Sequence, residues 1–174
     1  CIEYAMPFIH SRDNIIEYNK IHDVMKKLAD GNAIYISDAG YFNIIRGNYI
    51  YNMENAHGSA IRTDAMQRDT LIETNIIRDC SSGITIHEHN MMINNLLIDV
   101  GNDEEWFKRL IFYVRALCNN ISKGNGVIIQ RNIYYSTGKK LIKVNYNDKP
   151  EKSNDCVIDY NIYFNEADAK QVDY

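Results

Sequence analysis

The sequence predicts an all-β fold, a right-handed parallel β-helix forming one domain over residues 1–174, and three observations carry that prediction. A frame of two aliphatic residues, two variable ones, Asn and a further aliphatic recurs six times. Short alternating strands of a second kind lie between the early copies. The composition leans the same way: roughly one residue in seven is Ile and about one in eight is Asn, with only 2 Pro.

The frame is clearest in residues 14–22 (NIIEYNKIH), 43–51 (NIIRGNYIY) and 70–78 (TLIETNIIR). It continues less regularly through 91–98, 127–134 and 156–163. Asn19, Asn48, Asn75, Asn95, Asn132 and Asn161 therefore share one corner. Asn suits a corner because it tolerates the left-handed backbone conformation, and its amide can bond to the Asn one turn away along the stack.

The second strand type reads 33–38 (AIYISD), 60–64 (AIRTD) and 83–88 (GITIHE), each entered through a small residue. Placing Ile34, Ile61 and Ile84 in register and inward sends Tyr35 and Ser37, Arg62 and Asp64, and Thr85 and His87 outward by alternation. Glu88 follows at the strand end, level with Asp38 of an earlier turn, and His89 and Asn90 continue into the bend.

Residues 101–126 break the rhythm with apolar and charged residues at partly helical spacing, and are expected to be an insertion walling one side of the stack. Residues 145–154 are expected to be a polar loop. Five or six turns fit the length, and no amphipathic cap is evident at either end. Together with a start at Cys1, this reads as a processed or excised piece of a longer β-helix. The simpler alternative is a mixed α/β domain with an Asn-rich composition, against which the six phased copies argue.

Charge and length exclude several classes. A balance of 19 Lys and Arg against 23 Asp and Glu, net -4, provides no basic surface for a phosphate backbone, so nucleic acid is not an expected partner. No apolar run approaches a membrane span. Cys1, Cys80, Cys118 and Cys156 are far apart and form no metal or disulfide framework, which leaves the compartment undecided and oligomerisation open.

The aligned outer face collects Asp38, Arg62, Asp64, His87 and Glu88. Asp64 and Glu88 fall on neighbouring turns, with carboxyls expected roughly 5 to 6 Å apart. Retaining glycosidases hold their two carboxyls about 5 to 5.5 Å apart, so that one attacks the anomeric carbon while the other protonates the leaving oxygen. Asp64, beside Arg62, is the expected nucleophile and Glu88 the expected acid/base. Arg62, His87, His89, Asp38, Tyr35 and Trp106 are the expected substrate contacts; Trp106 and Phe107 would stack on a sugar face, as would outward members of Tyr35, Tyr49, Tyr51, Tyr134 and Tyr135. The bland alternative is that these charges merely solvate the face. A metal at His87, Glu88 and His89 lacks HExxH spacing and a third ligand, so no metal or cofactor is expected. His10, His22 and His57 read as turn or surface residues.

Residues 14–95 resemble the central part of the β-helix glycoside hydrolases of the family 120 β-xylosidase type. The resemblance is carried by 19–23 (NKIHD), 30–35 (DGNAIY), 45–48 (IRGN), the strand Ile61 to Asp64, the bend from His87 to Asn90, and Asn94 with Asn95. It implies a pectate-lyase-like solenoid and a retaining, exo-acting hydrolase that releases a terminal sugar such as xylose from an oligosaccharide or polysaccharide, Asp64 and Glu88 matching the family's nucleophile and acid/base. Family members are longer and carry a further β-sandwich domain, for which this chain has no room.

Two other functions compete. A polysaccharide lyase or epimerase needs an Arg or Lys base and usually clustered acids for calcium, and no such cluster occurs on one strand type; polygalacturonase-like inversion lacks its Gly-His-Gly strand. A non-catalytic carbohydrate-binding or adhesion β-helix would hold Asp64 and Glu88 apart or in exposed ion pairs.

Overall fold

The computed structural model describes residues 12–27, 31–37, 40–53, 58–64, 67–101, 110–115, 126–137, 142–146, 157–166 and 172–173. Their strands fall into tiers of three. The first tier is β1 (Ile15–Glu17), β2 (Lys20–His22) and β3 (Ile34–Ser37). The second is β4 (Ile44–Arg46), β5 (Tyr49–Met53) and β6 (Ile61–Asp64). The third is β7 (Leu71–Glu73), β8 (Ile76–Cys80) and β9 (Ile84–His87). The fourth is β10 (Met91–Ile93), β11 (Leu96–Ile98) and β12 (Leu110–Arg115). The fifth is β13 (Ile128–Gln130), β14 (Ile133–Ser136) and β15 (Ile142–Tyr146), and the sixth β16 (Val157–Asp159), β17 (Ile162–Asn165) and β18 (Val172–Asp173).

Successive strands go to three sheets in rotation, so that each six-stranded sheet takes one strand from every tier. Neighbouring tiers pair in parallel. The fold is all-β with no helix among the described residues, and is consistent with a parallel β-helix.

The repeated frame works because its middle aliphatic always points inward. Ile16, Ile45, Ile72, Met92, Ile129 and Ile158 stand in register on the first sheet. Ile21, Ile50, Ile77, Leu97, Tyr134 and Tyr163 do so on the second. From Ile45 to Ile129 and from Ile50 to Tyr134 these side chains are buried, each burial contributing roughly 1.5–3 kcal/mol in the gross balance.

The corner asparagines form the expected ladder. The backbone N–H and side-chain amide of Asn48 both donate to Oδ1 of Asn75, each at 3.0 Å, and Asn75 repeats this to Asn95. The pattern runs from Asn19 to Asn161 across intervals of 29, 27, 20, 37 and 29 residues. Loops of different length thus leave the ladder unbroken. The expectation about backbone conformation is corrected: the left-handed residue is the one before each Asn. Tyr18, Gly47, Thr74, Asn94, Arg131 and Tyr160 have φ of 54, 61, 53, 57, 55 and 56°, and no ladder Asn has a positive φ. Asn is needed here for its amide, which caps carbonyls of its own and the preceding tier, such as Ile93 and Ile72 for Asn95.

Two further expectations are corrected. Residues 101–126 are not wholly an insertion, because Leu110–Arg115 is the third-sheet strand of the fourth tier, pairing in continuous register with β9 and, through a register shift between Leu110 and Phe112, with β15. Its alternating apolar residues obey strand spacing rather than the helical spacing read from the wider window. Likewise Asn145 and Tyr146 end strand β15 instead of opening a loop, and residues 147–156 lie outside the described ones.

Candidate active site

The third sheet builds the candidate site through β3, β6 and β9. Tyr35 stands opposite Arg62 and Ser37 opposite Asp64, while Ile61 and Arg62 pair with Ile84 and Thr85. That register carries Asp64 level with His87, as the outward alternation requires. Thr63, inward from β6, accepts the backbone N–H of His87 at 3.1 Å and locks the two tiers together.

Asp64 is held by side chains from three consecutive tiers. Its Oδ2 accepts from the Tyr35 hydroxyl at 3.0 Å and lies 2.8 Å from Nη2 of Arg62. Its Oδ1 lies 3.3 Å from Nε2 of His87. The Asp64 side chain keeps 19% of its surface open, whereas that of His87 keeps 3%. The structure therefore brings Tyr35, Arg62, Asp64 and His87 together as the alternation implies, with one correction: His87 faces the cluster but not water.

Glu88 requires a larger correction. It takes the parity of Ile84 and Ile86, opposite to His87, and is 1% exposed instead of facing solvent beside Asp64. Its Oε1 lies 3.3 Å from Nη2 of Arg68, and its buried Oε2 has no hydrogen-bond partner among the described residues. The bend that carries it is tied down by Asn90, whose side-chain amide donates to the carbonyls of His87 at 3.1 Å, Glu88 at 3.0 Å and Gln67 at 2.7 Å. Asn90 Oδ1 in turn accepts the backbone N–H of Thr70 at 2.9 Å.

His89 does not join the cluster. It is exposed, occupies the left-handed corner with φ 57°, and its ring lies over Gly126 of the next tier. A Cβ on Gly126 would stand 2.4 Å from Nδ1 of His89, at a residue whose φ is 69°. Gly126→Ala is expected to lower stability by about 1–2 kcal/mol, mostly from backbone strain because the His89 ring is free to swing away; thermal denaturation would measure it, and an unchanged midpoint would contradict the strain. No group of His, Cys, Asp or Glu among the described residues is placed to hold a metal. Asp38, Trp106 and Phe107 lie outside the described residues.

The other expected sugar-stacking aromatics sit on the second sheet. Tyr49 and Tyr51 stack at 4.7 Å, with His22 on Tyr51 at 4.8 Å; Tyr135 stacks on Phe164 at 5.6 Å. Tyr134 is a core residue, stacked on Tyr163 at 4.8 Å.

The chain matches no protein-family model, no curated protein and no solved structure.

Two side chains that hold the bend carrying Glu88 escape a sequence reading centred on the second strand type. Asn90 had a visible signal, since Asn14, Asn43 and Asn90 each open a copy of the frame, and Asn43 Oδ1 accepts from the backbone and side chain of Asn14. Arg68 had none, because its reach to Glu88 depends on the path of the connection after β6.

The Tyr35 phenol is pushed above its usual range, chiefly by burial; its bond to Ser37 opposes this, its bond to the Asp64 carboxylate and that carboxylate's charge add to it, and Arg62 opposes it least. The folded state thus favours the protonated phenol. That contribution is complete below the ordinary phenol range and fades as pH rises through the raised value. Titration of phenolate absorbance, wild type minus Tyr35→Phe, is expected to place Tyr35 above about 10, and Asp64→Asn to bring it down. A midpoint unmoved by Asp64→Asn would show that the carboxylate does not act on it.

Proposed function

We propose that the chain is a right-handed parallel β-helix acting on carbohydrate, as a retaining glycoside hydrolase of the kind the family 120 resemblance implies. The observation that carries this reading is a partly open carboxylate, Asp64, fixed by Tyr35, Arg62 and His87 from three tiers, with a second carboxyl, Glu88, one residue beyond His87. The right hand follows from the strong preference of parallel crossovers.

Asp64 attacks the anomeric carbon and forms a glycosyl ester as the glycosidic C–O bond breaks, and the proton of Glu88 goes to the leaving oxygen. Water then attacks the same carbon, loses its proton to Glu88, and the ester bond to Asp64 breaks. Arg62 and Tyr35 orient the nucleophile, so little reorganisation is left for the reacting moment. Because Glu88 is buried against Arg68 and has the strand parity opposite to Asp64, the reaction requires the Arg68 side chain, which is 43% exposed, to leave Glu88 and the Glu88 side chain to turn toward Asp64 as substrate enters.

A screen of nitrophenyl glycosides tests the reading. Release of nitrophenol with retained anomeric configuration is the expected result, and no turnover of any glycoside would overturn it. One observation favours a second reading, a non-catalytic carbohydrate-binding β-helix: both carboxylates are ion-paired in the free protein. Glycan binding without turnover is its signature.

A further inference from the structure

We infer that the sugar bound at this site is acidic, a uronic acid whose carboxylate is received by Arg68, and that Arg68 is a specificity-determining residue. The inference rests on the hydrolase reading for its position in the reaction, and on Arg68 itself for its chemistry.

Among the described residues the guanidinium of Arg68 has a single partner, Oε1 of Glu88, through one nitrogen at 3.3 Å. A guanidinium carries five donors in a planar fork, and this contact uses one of them. The contact is long for a charge-assisted bond, where about 2.7–2.9 Å is usual. The contact is thus a weak hold, while the carboxyl it touches is 2% exposed.

Charge balance points the same way. In the resting site Arg62 is matched by Asp64 and Arg68 by Glu88. The reaction requires Glu88 to carry a proton, and a protonated Glu88 no longer balances Arg68. A substrate carboxylate restores the balance and accepts two parallel N–H bonds from the fork, which a neutral sugar hydroxyl cannot do. Transfer of Arg68 from Glu88 to the substrate would also uncover the acid only when the correct sugar is present. Sulfated sugars offer the same charge with tetrahedral geometry, and the planar fork favours the carboxylate.

The experiment compares matched pairs: nitrophenyl glucuronide against glucoside and galacturonide against galactoside, with a 6-sulfated glucoside as the third arm. Wild type, Arg68→Lys and Arg68→Gln are assayed at low and high salt. The expected result is a kcat/KM ratio favouring the uronide by roughly tenfold or more in wild type, reduced in Arg68→Lys and lost in Arg68→Gln. High salt should erode the ratio. A ratio near one, a ratio indifferent to Arg68, or a preference for the sulfated sugar overturns the inference while leaving the hydrolase reading intact. Calorimetric binding of glucuronate and glucose to the same three proteins separates the two failures. Selective glucuronate binding lost in Arg68→Gln, with no turnover of any glycoside, would overturn the hydrolase reading alone; neither turnover nor selective binding would overturn both. The within-protein ratio cancels any partial loss of folded material, and Arg68→Lys keeps a positive charge beside buried Glu88 should Arg68→Gln fold poorly.

Discussion

Asn95→Ala is expected to destabilise the fold by about 4 kcal/mol or more, a large part of the roughly 5–15 kcal/mol that holds a domain together. The variant removes several hydrogen bonds of the ladder at once, although the Asn75 side-chain amide keeps its bond to the Ile45 carbonyl and the Ile93 carbonyl keeps the Thr74 N–H. Oδ1 of Asn95 accepts from the backbone N–H and side-chain amide of Asn75, both at 3.0 Å, and its own amide donates to the carbonyls of Ile72 at 2.9 Å and Ile93 at 3.1 Å. Each lost bond costs roughly 1 kcal/mol, and more at the Asn75 N–H, which loses its acceptor, except as far as water enters the gap. Asn95→Asp should be nearly as damaging, since it keeps the acceptor and turns two attractive amide contacts into carboxylate facing carbonyl. Asn19→Ala supplies the contrast. Asn19 is exposed and donates to Asn48 and Glu17 without receiving a ladder bond among the described residues, so its loss should cost about 1 kcal/mol or less. Denaturant midpoints for the three variants decide the matter; equal losses at Asn19 and Asn95 would show that the ladder is not the source of stability.

Asp64→Asn and Glu88→Gln are each expected to lower kcat on the best aryl glycoside by about a thousandfold or more, since each removes a group that reacts directly. Their structural consequences differ, which separates catalysis from folding. Asp64→Asn keeps the shape and leaves Arg62 24% exposed to water, so a small stability change is expected. Glu88→Gln removes a buried charge together with its partner for Arg68, so unfolding must be measured alongside the rate. Azide should restore turnover in Glu88→Ala by attacking the anomeric carbon in place of water, which needs the missing base, so that the ester bond to Asp64 breaks and a glycosyl azide is released; it should not do so in Asp64→Asn. Rates within a few-fold of wild type in both single variants would remove the pair from the mechanism.

The ladder, the inward column and the pairing of β3, β6 and β9 were legible because each depends on spacing that repeats. A residue at a given place in the frame meets the same neighbours in every tier, so Asn75 reports on Asn48 and Asn95 before any coordinate is known. Leu110–Arg115 was harder, because a strand of ordinary alternation was embedded in residues whose wider pattern imitates a helix. Glu88 was misplaced by abandoning the alternation one residue too early: what sends His87 outward sends Glu88 the other way.

The amino-acid sequence alone determined the all-β character, the period, the ladder corner and the face on which Tyr35, Arg62, Asp64 and His87 meet, because these follow from local periodicity and from hydrogen-bonding groups that must be satisfied. Only the tertiary structure decided that the left-handed conformation falls one residue before each Asn, that His89 turns away over Gly126, and that buried Glu88 meets Arg68. Those outcomes depend on how each bend and connection closes in space, and bends of unequal length have no common spacing from which to read them.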